Sequence, residues 1–212
     1  MGRLLLSLGL VLFVAACGSG RPFAPEPVVQ HAAFVDTKDP PSITLFTSIR
    51  SAAGTGAHSA VLINASERVI FDPAGSFETE TRGVAPIRGD VIYGVTDPVL
   101  DAYRRFQSST GYHVVAITVP VPAAVAEEAL HKAEDHGWVS QAFCADASSH
   151  LISSLPGFER VHPTLFPRAF MLQMEKMPGA TIRTYLKGVE IPNGSAPHSR
   201  AALPDFPDGL PG

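Results

Sequence analysis

The chain has 212 residues, 45% of them hydrophobic and 17% charged. That suffices for one domain with a sizeable core and excludes a chain disordered throughout. A net charge of −4 with no run of Lys or Arg lacks the electrostatic footprint of a nucleic-acid binder, and two cysteines exclude a disulfide scaffold or a multi-cysteine zinc site.

Residues 1–16 read as an address. Arg3 supplies a positive start, and Leu4 to Val14 is apolar except at Ser7 and Gly9. The run is too short to span a bilayer as a mature helix. Val14-Ala15-Ala16-Cys17 resembles the bacterial lipobox, which implies cleavage before Cys17 and lipidation of that residue. Acyl chains on one residue then anchor the protein stably in the bilayer. Gly18, rather than Asp, follows the cysteine. In the lipobox pattern this points to a lipid-anchored envelope protein on the outer membrane, facing the periplasm. An ordinary secretory signal with an unrelated cysteine is the alternative. With Cys17 lipidated, Cys144 is the one thiol left, either buried and inert or reactive and used.

Residues 17–41 are rich in Pro, Gly and Ala and read as a lipidated tether. Ser42 to Arg50 is a strand, and Ser51 to Ala57 a flexible loop. His58 to Ile63 and Arg68 to Asp72 form a hairpin around the turn residues Asn64 to Glu67. Gly89 to Val95 reads as a further strand, and Pro98 to Phe106 as a helix with Asp97 as N-cap. Tyr112 to Val119 is a strand. Ala123 to His136 is a helix with Val125, Ala129, Leu130 and Ala133 on one face, stopped by Gly137. A second helix runs from Gln141 to Leu155 with Ser140 as N-cap, a short one from Pro167 to Glu175, and a last strand from Thr181 to Leu186. Residues 42–186 thus form one domain, and 187–212 a disordered tail. Strands first and helices later predict α+β, an antiparallel sheet packed with helices.

Three residues carry the candidate chemistry. Cys144 falls in the first turn of a helix, where free N–H groups and the dipole favour a thiolate and can hold an oxyanion. His58 opens a strand after a Gly-rich loop, the position of a base fixed in place yet open to a cleft. Asp72 closes the paired strand, which makes it a neighbour of His58 and fit to orient the imidazole. Each has a plainer reading: Cys144 as a small core residue, His58 as a half-exposed strand residue, Asp72 as the start of a turn. Together they supply nucleophile, base and orienting group.

The order of a His-bearing hairpin, then Asp72, then a Cys-bearing helix resembles the circularly permuted branch of the papain-like NlpC-type cysteine peptidases, which includes the lecithin–retinol acyltransferase relatives. The resemblance runs from about His58 to Leu155 through His58-Ser59-Ala60-Val61-Leu62-Ile63, Arg68-Val69-Ile70-Phe71-Asp72 and Phe143-Cys144-Ala145-Asp146. It implies a permuted papain-like fold with Cys144 as nucleophile, His58 as base and Asp72 as third polar residue. It also implies a thiol hydrolase or acyltransferase acting on an amide or ester, in a peptidoglycan peptide or a lipid acyl group. The family often has Asn before the Cys, where Phe143 stands here, and its Gly-Asp-hydrophobic strand precedes the His motif, whereas Gly89-Asp90-Val91 follows it.

Eight histidines show no spacing that assembles a metal site, so no metal and no cofactor are expected. No nucleophile elbow supports a serine triad. Trp138, Phe143 and Phe158 read as core. The second functional reading is a non-catalytic ligand-binding lipoprotein on the same fold, and the third a structural envelope protein whose tail docks a partner.

Overall fold

The computed structural model describes residues 23–77, 83–193 and 195. The expected signal segment and Cys17 lie outside these, as does most of the tail. Among the described residues, eight strands form a single antiparallel sheet and five helices cover it, an α+β arrangement.

The central strand is β1 (Ser42–Arg50), whose interior is buried on both faces, as its apolar, β-branched sequence requires. It pairs with β2 (Gly56–Asn64) on one side and β6 (Tyr112–Pro120) on the other. Beyond β2 lie β3 (Arg68–Phe71), β5 (Val91–Ile92) and β4 (Ile87–Arg88). Beyond β6 lie β7 (Thr181–Leu186) and β8 (Val189–Ile191). The β2–β3 turn is fastened by Ser66, whose N–H and hydroxyl both donate to Glu127.

Side-chain alternation divides the core. Leu45, Val61, Ile63 and Phe71 face a layer that includes α3 (Ala123–His136), α4 (Cys144–Ser153) and α5 (Pro167–Met174). Phe46, Leu62 and Ile70 face α2 (Asp97–Gln107) through Leu100 and Tyr103. Pairing of β2 with β3 ends at Val61 opposite Phe71, so the first residues of β2 run on without that neighbour. Next to this stretch the chain of β3 turns away at Asp72.

Several boundaries differ from the sequence reading. The segment expected as tether carries α1 (Glu26–Ala32), opened by prolines in its first turn and burying Val29 in the core. The same segment is pinned where Arg68 donates to Asp36 and lies over the Phe34 ring. Past residue 186, strand β8 pairs with β7. The strand expected over Gly89 to Val95 shrinks to Val91–Ile92, because Gly89 and Gly94 both take left-handed backbone that a ladder does not accept. The helix expected from Gln141 starts at Cys144: Ala142 has φ +75°, and Ser140 lends its carbonyl to Phe143 instead of capping. Asp97 opens α2 but caps nothing. Thr96 is the N-cap, and the Asp97 carboxylate is held by Arg68 and Lys38.

Candidate active site

The structure brings His58, Asp72 and Cys144 together. His58 stands near the start of β2, where β3 has left its flank, and Asp72 is the residue at which β3 leaves. Their side chains meet at 2.7 Å, His58 Nε2 to Asp72 Oδ1. A carboxylate only accepts, so Nε2 carries a proton and Nδ1 is left for the sulfur of Cys144, to which the ring also hydrogen-bonds. Cys144 is the first residue of α4, whose head reaches this stretch of β2 from the other layer. Its sulfur receives the backbone N–H groups of Ser59 and Ala145.

Charge follows from these contacts. Burial alone raises the Cys144 pKa, but the His58 imidazole and the two N–H groups outweigh it and leave the thiol below its ordinary value. Burial alone lowers the His58 pKa, but the charges and hydrogen bonds of Asp72 and Cys144 outweigh it and raise it to about 10. Both shifts favour a thiolate–imidazolium pair. Cys144 is 6% exposed and the His58 side chain 19% exposed, so the imidazole is the more open of the two.

Asp72 is itself held. The Tyr103 hydroxyl donates to the same Oδ1 at 2.7 Å. Gln107 Nε2 donates to the Tyr103 oxygen at 3.0 Å, and Ser48 donates to Gln107 Oε1 at 2.8 Å. These groups are buried, and burial beside Asp72 keeps the Tyr103 phenol protonated by raising its pKa well above the ordinary value. The result is a line of donors running from β1 through α2 to the carboxylate. On the other side Gly75 leaves no room: a Cβ there would overlap the Asp72 carboxylate.

Asp90 ties two parts of the site together. Its buried carboxylate accepts the N–H of Val139 at 2.7 Å and of Ala74 at 3.2 Å, and its carbonyl accepts the N–H of Asp72 at 2.7 Å. One residue thus holds both the turn after β3 and the segment that leads to Cys144.

Tyr103, Gln107, Ser48, Gly75 and Asp90 were not singled out from the sequence. Tyr103 and Gln107 lie four apart on one face of a helix, a spacing that reads equally as core. Asp90 stands in the Gly89-Asp90-Val91 string, and nothing in its spacing points to Val139. The reading of Trp138 and Phe143 as core is corrected: they are 39% and 47% exposed, in the segment before and at the N-cap of α4, whereas Phe158 is buried. Among the described residues no group of three or more His, Cys, Asp or Glu side chains is placed to hold a metal ion, and no helix is long and apolar enough to cross a membrane. Compared with family models, curated proteins and solved structures, the chain matches none of them.

Proposed function

We propose that the chain is a thiol hydrolase or acyltransferase that cleaves an amide or ester bond through Cys144, His58 and Asp72. The observation that carries this reading is that one imidazole bonds both Asp72, through Nε2, and the thiol at the first residue of a helix. A cysteine that served only packing would need neither contact.

In the reaction the Cys144 thiolate attacks the carbonyl carbon, forming a carbon–sulfur bond. The oxyanion that results is held by N–H groups at the head of α4, where the dipole also favours negative charge. As the carbon–nitrogen or carbon–oxygen bond breaks, His58 gives the Nδ1 proton to the leaving group. Water, or another acceptor, then loses a proton to His58 and displaces the thiol from the thioester. Asp72 keeps the ring oriented and stabilises its charged form, as Tyr103 keeps Asp72 in place.

The permuted papain-like arrangement belongs to this proposal. Its support is the chain order, with the hairpin of His58 and the residue Asp72 ahead of the helix of Cys144. The envelope location rests on the lipobox-like string ending at Cys17, and envelope amides or esters, peptidoglycan peptides or lipid acyl groups, are the substrates such a location offers. Palmitate incorporation that Cys17→Ser abolishes tests the anchor. The second reading, a non-catalytic binding lipoprotein, is favoured by the low exposure of Cys144.

Alkylation of Cys144 by iodoacetamide against pH separates the two. The raised His58 pKa keeps the imidazolium present from neutral pH up to about 10, and the lowered thiol pKa sets the acidic limb. An enzyme site is therefore expected to label at a pH below that of an ordinary thiol, and His58→Ala, which leaves burial in place, moves the midpoint up to about 8.5 or beyond. A wild-type profile already centred there would rule out the hydrolase.

A further inference from the structure

A cavity of about 350 Å³ opens against His58 and does not touch Cys144. It lies toward the end of α2 and the start of β6, with Ser76, Ser109 and Tyr112 in its wall beside Arg50. Its size is at the small end of ligand pockets, which run from about 300 to 1,000 Å³. Among the described residues, its lining side chains include one permanent cation, Arg50, and no carboxylate. The Arg50 guanidinium lies 5.7 Å from the centre of the Tyr112 ring, which holds it by cation–π attraction without using its hydrogen-bond donors. Among the described residues, Arg50 makes no ion pair with an acidic side chain.

The position of the cavity states which half of a substrate it takes. A substrate bridging the site puts its acyl carbon on the sulfur and its departing atom within reach of the imidazole. The portion beyond that atom then continues on the His58 side, into the cavity. We infer that this cavity is the leaving-group subsite and that it takes an amine bearing a carboxylate, an amino acid or a short peptide with its C-terminus free, with Arg50 binding the carboxylate. A planar guanidinium fork matches a carboxylate in two parallel hydrogen bonds, and the hydroxyls of Ser109 and Tyr112 add neutral donors. This inference rests on the hydrolase reading of Cys144 and narrows it to amides of the amino-acid type. The balance is unchanged: the amide nitrogen leaves with the proton from His58, and its carboxylate takes no part in bond making.

Two measurements test it on the full chain. In the first, the His58 ring resonance is followed by NMR while alanyl-alanine or alanyl-alaninamide is added. The acid is expected to shift it at concentrations at least about tenfold lower than the amide, because only the acid offers Arg50 an anionic partner. Arg50→Gln should erase that preference, and Arg50→Lys, which keeps the charge, should retain part of it. In the second, Cys144 is acylated with p-nitrophenyl acetate, and the acyl group partitions between water and the same two dipeptides. The wild type should transfer preferentially to the acid, and Arg50→Gln should show no such preference. Equal binding of the two dipeptides, or a preference that Arg50→Gln leaves intact, overturns the subsite while the hydrolase reading stands. Failure of Cys144 to take up acetyl overturns that reading, and the leaving-group role with it, even where the dipeptide acid binds.

Discussion

A methyl group added at position 75 would occupy the space of the Asp72 carboxylate, and the fate of the imidazole depends on that carboxylate. Gly75→Ala is therefore expected to push Asp72 off His58 and Tyr103. Overpacking of this kind costs about 1–3 kcal/mol, which a lower melting temperature will register. The more telling readout is the alkylation profile of Cys144, which should move toward that of an unassisted thiol. Asp72→Asn separates charge from shape. It keeps the volume beside Gly75 but removes the anion that raises the His58 pKa, so the imidazolium is lost at a lower pH than the value of about 10. The alkaline limb of turnover should shift downward accordingly. The rate itself should fall by up to about 10²–10⁴-fold, the usual worth of a positioned acid or base. At this scale the sequence was informative about His58 and Asp72, because a hairpin dictates which strand ends are neighbours. It was not informative about Gly75, whose constraint comes from a side chain folded back over it.

Elements meet at Asp90. Strand β5 is two residues long, and its preceding turn places one carboxylate between the Asp72 turn and the chain leading to α4. Asp90→Ala takes an acceptor from the N–H groups of Ala74 and Val139, the second of them in a buried contact. Leaving such donors unpaired costs about 1–3 kcal/mol each, so a clear loss of stability is expected in denaturant unfolding. If Asp90 positions the site as well as stabilising the fold, the Cys144 alkylation profile of the folded variant should shift toward that of a free thiol. If its role is structural alone, the profile should stay as in the wild type. Helix α4 shows how far local signals reach. Its existence was readable from the chain between Ser140 and the Pro156-Gly157 stop. Its first residue was not, because it follows a left-handed residue, Ala142, in the same loop that Asp90 holds at Val139. That detail matters chemically: starting the helix at Cys144 puts the thiol at its very head, where N–H groups have no partner within the helix and the Ala145 N–H turns to the sulfur.

Across the described molecule, residues 23–41 ahead of β1 belong to the folded body. Arg68 is 4% exposed and bonds Asp36, whose side chain is 5% exposed, together with Asp97 and the carbonyl of Val95. Arg68→Met would leave the Asp36 carboxylate buried without its partner, a loss of about 3–5 kcal/mol, and thermal unfolding should show it directly. A chain begun at Ser42 should also melt below one begun at residue 23, since it lacks Val29 in the core and Phe34 over Arg68. Composition had suggested a tether there, because Pro and Ala say nothing about an arginine thirty residues later that can capture an aspartate. By itself the sequence determined the strands and helices whose apolar periodicity is strong, the antiparallel α+β class, and the closeness of His58 to Asp72, all consequences of short-range chemistry. Only the tertiary structure decided that Cys144 reaches His58 across the end of the β2–β3 pairing, that Tyr103 and Asp90 hold the turn, and that Arg50 faces a cavity beside the imidazole. Those contacts join residues far apart in the chain, and their geometry is set by how layers pack rather than by any local pattern.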